Sequence, residues 1–311
     1  MTRPVVHVAA GVLLRPDGTF LLAQRPTDKV YAGYWEFPGG KVESGETPRQ
    51  ALVRELQEEL GIRVGVAFPW LVRSFAYPHA LVKLHFFRVV AWQGEPQGKE
   101  GQQLSWQAPQ AVTVAPLLPA NQPILRALAL PAVYAISNAT ELGEVNFMCR
   151  LSQALQNGLR LLQVREKYLH SDALQLFASR VITLAHEYGA KVLLNGDIDL
   201  ALALGADGVH LTEGQLQHCQ RRPDLPYCAA SCHSESALRR AETLGLDFVV
   251  LSPVLPTLSH PGAATLGWDK FAHLCADTSV PVYALGGLNR SHLLTAWERG
   301  AHGVSLLRQA W

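Results

Sequence analysis

Apolar positions follow two different rhythms along the chain. In the first part, alternating or continuous apolar runs at residues 5–14, 20–24, 71–75 and 81–92 predict strands. Arg15-Pro16-Asp17-Gly18-Thr19, between the first two runs, is a hairpin signal. One long amphipathic helix is predicted over residues 48–60, because Leu52, Val53, Leu56 and Leu60 fall on one side of it. Thr47 suits the N-cap, Pro48 the first helical position, and Gln50 completes a capping box. Gly61 stands where a left-handed C-terminal cap is expected. A proline-rich break at 116–123, a short apolar helix at 124–130 and Pro131 then punctuate the chain. Beyond it, short apolar strands alternate with helix-length segments. They are predicted at 133–137, 159–164, 191–195, 208–211, 227–231, 248–252, 282–285 and 303–307. Eight such repeats suggest a small (β/α)8 barrel, with a doubly wound open sheet as the alternative. No G-x-G-x-x-G fingerprint is present to favour a dinucleotide fold. The expected division is residues 1–130 and 131–311.

Length and composition agree with two packed domains. The chain has 311 residues, 48% of them hydrophobic and 17% charged. A formal net charge of +1 gives no global attraction to duplex nucleic acid or an anionic membrane, so any phosphate must be met by a local site. No apolar run reaches the ~20 residues that span a bilayer. The opening residues are expected to form a first strand and not a leader peptide. Five cysteines, all in the second part and irregularly spaced, suit a reducing cytoplasm. Cys228, Cys232, His233 and His260 lack paired C-x-x-C spacing and are expected in core or loops.

The predicted helix places Glu55, Glu58 and Glu59 on one arc, at i, i+3 and i+4. Like charges at this spacing repel by ~0.2–0.5 kcal/mol per pair. A solvated acidic face beside Arg54 is one reading. The other is a divalent cation that offsets the repulsion, since clustered oxygen ligands suit Mg²⁺ or Mn²⁺.

The segment from Gly40 to Ile62 matches the Nudix box, G-x5-E-x7-R-E-U-x-E-E-x-G-U, at every fixed position. The matching residues are Gly40, Glu46, Arg54, Glu55, Leu56, Glu58, Glu59, Gly61 and Ile62. The chain therefore resembles the Nudix hydrolases, which implies an α/β/α sandwich with a mixed sheet over residues 1–130. The resemblance implies that Glu55, Glu58 and Glu59 hold catalytic Mg²⁺, or Mn²⁺ as a substitute, helped by the Gly40 carbonyl. Glu46 and Arg54 would orient the loop and helix. It leaves open which carboxylate helps deprotonate the attacking water. Residues 35–45 (WEFPGGKVESG), 92–106 (WQGEPQGKEGQQLSW) and 119–123 (PANQP) are similar to the MutT type, which converts 8-oxo-dGTP to 8-oxo-dGMP and pyrophosphate and so keeps an oxidised base out of DNA. That similarity implies a further metal carboxylate at Glu100, and an amide at Asn121 that matches a purine edge. Arg25 and Phe37 would neighbour the nucleotide. The plainer readings are a turn residue for Asn121, an ion-pair partner for Arg25 and core for Phe37. Residues 77–83 (YPHALVK) lack the charged dipeptide associated with that place, and another nucleotide substrate stays open.

The second part resembles thiamine-phosphate synthase and its relative, the TenI thiazole tautomerase. LQVREK at 162–167, DLALALGADGVHL at 199–211, SPVLPT at 252–257 and LGGLN at 285–289 carry the resemblance. It implies that Gln163, Arg165, Lys167 and Asn195 face a pyrimidine diphosphate. Gly286, Gly287 and Ser305 would face a thiazole phosphate, and His233 would transfer a proton as in the tautomerase. His210 is expected to be structural. Three positions depart from the synthase pattern. Gly196 follows Asn195 where an aspartate is expected, Thr212-Glu213-Gly214-Gln215 lacks another, and His260 replaces a lysine. The first two are magnesium-site positions in the synthase. Without them a diphosphate leaving group loses charge stabilisation. The barrel is therefore expected to act as a sensor of a thiamine-related phosphate, or as a tautomerase, in place of full synthase activity.

Overall fold

The computed structural model describes residues 5–77, 80–258, 262 and 264–311. The chain forms two compact units, Met1–Ala129 and Leu130–Trp311. Pro78, His79 and His260, singled out above, lie outside the described residues.

The first unit contains β1 (Val5–Leu13), β2 (Phe20–Gln24), β3 (Trp35–Glu36), β4 (Gly39–Lys41), α1 (Pro48–Leu60), β5 (Arg63–Ala76), β6 (Leu81–Gln93), β7 (Leu104–Gln107) and α2 (Gln122–Leu128). One sheet runs β4-β1-β6-β5 and the other β3-β2-β7. The first is mixed, because β1 pairs parallel to β6 while its other pairings are antiparallel. α1 buries Leu52, Leu56 and Leu60 against Leu13, Phe87 and Val89. On the opposite side Val12, Phe20, Phe37 and Phe86 pack with Ile124 and Ala127 of α2. The result is the expected sandwich of sheet between helices. Gly11 sets the depth of α1: a Cβ there would stand 3.0 Å from Leu56 and 3.3 Å from Leu52.

α1 has the predicted bounds. The Thr47 side chain accepts the Gln50 N–H, the Gln50 side chain answers, and Gly61 caps the end at φ 70. The predicted strand at 71–75 is the tail of the longer β5. Pairing irregularities between Val64 and Ala67 and between Pro69 and Leu71 break the two-residue period that would have marked its first half.

In the second unit, β8 (Val133–Ile136), β9 (Leu161–Val164), β10 (Lys191–Asn195), β11 (Gly208–Leu211), β12 (Tyr227–Cys232), β13 (Phe248–Leu251), β14 (Val282–Ala284) and β15 (Gly303–Leu306) close a barrel. β15 pairs parallel with β8, which excludes the open-sheet alternative. The helices are α3 (Ala139–Leu142), α4 (Glu144–Gln156), α5 (Ser171–Glu187), α6 (Ile198–Ala203), α7 (Glu213–His218), α8 (Glu235–Leu244), α9 (Gly267–Cys275) and α10 (Leu293–Glu298). Outward strand residues such as Leu162, Val164, Leu194 and Val249 pack with the helices. The barrel axis is filled by Tyr134, Leu161, Leu193, Phe248, Val250 and Tyr283. The Leu130 carbonyl accepts a hydrogen bond from His302 Nε2, and the Pro131 carbonyl accepts one from the Tyr283 hydroxyl. Among the described residues, no helix is long and apolar enough to cross a membrane.

Candidate functional sites

In the first unit, the capped α1 turns its glutamates toward the Gly39–Gly40 end of β4. The Glu59 carboxylate accepts the Gly39 N–H at 3.1 Å. A Cβ on Gly40 would lie 2.2 Å from the Glu55 carboxyl carbon, so any side chain there would push that carboxylate from its present place. Arg54 gathers the rest. Its Nε and Nη2 reach the two Glu46 oxygens at 2.9 Å each, and its Nη1 reaches Glu55 at 2.8 Å and Glu58 at 3.4 Å. Nη2 also donates to the Lys41 carbonyl at 3.0 Å, tying helix to strand. The Arg54 guanidinium hydrogen-bonds Glu46 and holds its carboxyl down to about 2.

Glu100 comes to this face on a loop strapped to the end of α1. Gln97 N–H donates to the Leu60 carbonyl (3.0 Å) and Lys99 N–H to the Glu59 carbonyl (2.9 Å). Gln102 donates to the Glu59 carbonyl at 3.1 Å and accepts the Glu100 N–H at 2.7 Å. Lys29 Nζ then stands 2.6 Å from Glu100 and 3.8 Å from Glu59. Burial pushes the Glu59 carboxyl up to about 7; the Gly39 N–H and Lys29 oppose this, while Glu100 and Glu36 add to it. Lys29 and Gln102 carry no sequence signal, since their role depends on loops meeting across the fold.

Among the described residues, no three carboxylate, imidazole or thiol groups converge into a closed metal site as they stand. The donor set still fits a hard divalent cation. It is all oxygen, side-chain space is kept free at Gly40, and positive side chains already sit among the carboxylates.

The three nucleotide candidates lie in different settings. Arg25 pairs with Glu36 at 2.5 Å and donates from Nε to the Val30 carbonyl at 2.7 Å. Phe37 is 3% exposed and packs against Phe20 and Phe86. Asn121 is also buried, and its Nδ2 has no hydrogen-bond partner among the described residues. Nearby in the same unit, Tyr31, Tyr34, Tyr77 and Phe75 form a half-buried aromatic cluster, with Tyr31 at φ 61.

In the barrel, a cavity of about 350 Å³ opens where the strands end. Gln163, Arg165, His233, Gly286, Gly287 and Ser305 line it, together with His210 and Ser231. Lys167 is exposed, and neither it nor Asn195 is part of that wall among the described residues. Gly286 and Gly287 pack under the loop after β13. A Cβ on Gly287 would lie 2.4 Å from the Pro256 carbonyl oxygen. Ser305 is fully buried and its Oγ has no hydrogen-bond partner among the described residues.

A neutral polar chain crosses the barrel interior. Gln163 Nε2 donates to the Tyr134 hydroxyl (3.1 Å), which meets His210 Nδ1 (3.1 Å), and His210 Nε2 meets Ser231 Oγ (2.9 Å). The Gln163 amide nitrogen can only donate, so the phenol oxygen accepts from it; the directions of the two imidazole contacts follow the His210 tautomer. Burial first, and then the Arg165 charge, pushes His210 down to about 3, which keeps it neutral. Tyr134 escaped the sequence reading because one inward tyrosine in an apolar strand gives no polar pattern. His233 Nδ1 donates to the Ser252 carbonyl at 2.7 Å, which leaves its Nε2 as the acceptor. Glu166 points away from this chemistry and caps the backbone of Ala139 and Thr140.

The synthase-type magnesium does not fit here. Gln215 donates to the Gly196 carbonyl at 2.6 Å and caps Thr212, so an amide fills the space beside Gly196. Glu213 accepts from the His233 N–H and the Ser234 hydroxyl.

Comparison with known proteins agrees with both halves. Residues 5–128 match the family described as NUDIX domain, and residues 133–310 match thiamine monophosphate synthase. The 8-oxo-dGTP diphosphatase of Haemophilus influenzae is 40% identical over 128 residues, 41% of this chain and 94% of that protein. The CTP pyrophosphohydrolase of Escherichia coli is 43% identical over 123 residues, 40% of this chain and 90% of that protein. A putative thiamine-phosphate synthase 2 of Aquifex aeolicus is 36% identical over 178 residues, 57% of this chain and 95% of that protein. The box around α1 and the closed barrel thus match two different families in one polypeptide, which belongs to the Nudix hydrolases through its first unit and to the thiamine monophosphate synthase family through its second.

Proposed function

We propose that the first unit hydrolyses 8-oxo-dGTP to 8-oxo-dGMP and pyrophosphate in the cytoplasm, with the two functional domains dividing near residue 130. The observation that carries this reading is the placing of Glu55 and Glu59 of α1 against the side-chain-free Gly39–Gly40 stretch of β4, with Glu100 joined to Glu59 through Lys29. Glu55, Glu58, Glu59 and Glu100, with the Gly40 carbonyl, would hold Mg²⁺ or Mn²⁺. When bound, the cation offsets phosphate charge and lowers the pKa of a bound water. Arg54 and Glu46 orient the helix against the loop. Asn121, with an unmet buried amide donor, supports recognition of a purine edge.

The similarity to a CTP pyrophosphohydrolase favours a second reading, in which a pyrimidine nucleotide is the substrate. Pyrophosphate release from 8-oxo-dGTP, dGTP and CTP, with wild type and Glu55→Gln, tests both. Preference for the oxidised purine, lost in the variant, supports the first reading; preference for CTP replaces it with the second.

For the barrel we propose binding of a thiamine-related phosphate at Gly286, Gly287 and Ser305 without synthase chemistry. Turnover of a thiazole phosphate through His233 and binding without turnover are the two forms of this reading. Proton exchange into the bound ligand separates them.

A further inference from the structure

Lys29 lies outside the Nudix box, on loop 25–34 between β2 and β3. That loop is fixed without help from the Lys29 side chain, although the Lys29 N–H donates to the Pro26 carbonyl at 3.3 Å. Arg25 N–H donates to the Tyr34 carbonyl at 2.8 Å and Gly33 N–H to the Arg25 carbonyl at 3.0 Å. The Arg25 side chain grips the Val30 carbonyl and Glu36. Opposite it, the Glu100 loop is strapped to α1 by Gln102. The Lys29 ammonium spans the gap between these two fixed pieces, 2.6 Å from Glu100 and 3.8 Å from Glu59. Its side chain is 39% exposed, so the four-carbon stem has room to move while the loop stays in place.

We propose that Lys29 is a positioning residue with two stations. Without metal its ammonium holds the Glu59–Glu100 gap. When a divalent cation takes those oxygens, the ammonium turns to the polyphosphate of the substrate. The inference rests on the metallohydrolase reading of this site. A +1 ammonium and a divalent cation cannot both occupy the same pair of oxygens. Once displaced from them, the ammonium meets the phosphate chain as the strongest nearby negative charge. Lys29 thus competes with the metal in the free protein and cooperates with it in the substrate complex.

The test is Mn²⁺ binding to the whole chain without nucleotide, read by the electron paramagnetic resonance of free Mn²⁺. Wild type, Lys29→Met and Lys29→Arg are compared, with thermal melts to confirm folding. Loss of a half-exposed competing charge should tighten Mn²⁺ binding about two- to fivefold in Lys29→Met. Lys29→Arg should stay near wild type, and the difference should shrink in high salt. With nucleotide, Lys29→Met should raise KM more than it lowers kcat. Equal Mn²⁺ affinity in wild type and Lys29→Met overturns the two-station role and leaves the hydrolase reading standing. No Mn²⁺ binding in any of the three overturns the metallohydrolase reading, and the role of Lys29 with it.

Discussion

The first unit gathers like charges at its site, whereas the barrel sets a chain of neutral dipoles beside the Arg165 charge. At α1 the carboxylates are brought together, one is driven up to about 7 by burial, and Arg54 and Lys29 are drawn in among them. In the barrel, Gln163, Tyr134, His210 and Ser231 are joined in a row by hydrogen bonds, and burial keeps the imidazole uncharged. Glycine serves both sites in different ways. Gly40 leaves room for an acid, while Gly287 lets one backbone lie against another. The contrast teaches that phosphate chemistry can be prepared in two ways. One is a crowd of carboxylates that added positive charge offsets; the other is a neutral hydrogen-bonded chain set beside the fixed guanidinium of Arg165.

The strongest way to break this comparison is metal removal. EDTA should abolish pyrophosphate release while leaving calorimetric binding of thiamine phosphate to the barrel unchanged. Loss of both would mean that the barrel, too, depends on metal. Next in size, Glu59→Gln should cut kcat/KM by about 100-fold or more, since even outer partners of a metal site cost 10–100-fold. The same variant should melt no lower than wild type, because it removes a desolvated charge from a crowded arc. A drop in melting temperature would show that the carboxylate is structural.

A pH titration of barrel stability sharpens the neutral side. The His210 imidazole is depressed from its ordinary value near 6.5 to about 3. Above pH 6.5 both folded and unfolded chains carry it uncharged, and it adds no pH dependence. Below 6.5 the unfolded chain takes a proton that the folded one refuses. Stability should therefore fall by about 1.4 kcal/mol per pH unit from this group. Denaturant unfolding at stepped pH should show this slope, and His210→Gln should flatten it. Smallest, Ser305→Ala should weaken phosphate-ester binding about two- to tenfold, the range of one hydrogen bond. Unchanged affinity would place the phosphate elsewhere in the cavity.

How much was legible in the sequence follows the same division. The bounds of α1 could be read to the residue because its caps and its acids lie within one continuous segment; of its apolar stripe Leu52, Leu56 and Leu60 are buried, whereas Val53, expected on the same side, is exposed. The barrel strands were legible because strands buried on both faces leave short, mostly apolar runs, broken only by an inward polar residue such as Gln163 or His210. β3 and β4 have two and three residues, too few to show a period, and β4 reads Gly-Gly-Lys. Lys29 and Glu100 are 71 residues apart, so their pairing exists only in the fold. The Gln215 amide that fills the space beside Gly196 is hidden for the same reason: sequence shows a missing acid but not what replaces it.

The carbonyls of Leu130 and Pro131 have a consequence for dividing the polypeptide. They are the acceptors for a buried imidazole and a buried phenol, His302 and Tyr283. A severed second half that began at Ala132 would lose both of these acceptors, at about 0.5–1.5 kcal/mol for each hydrogen bond. The cut that respects the hydrogen bonds falls before Leu130. Those two residues, which look like the tail of a linker, are the first stitches of the barrel.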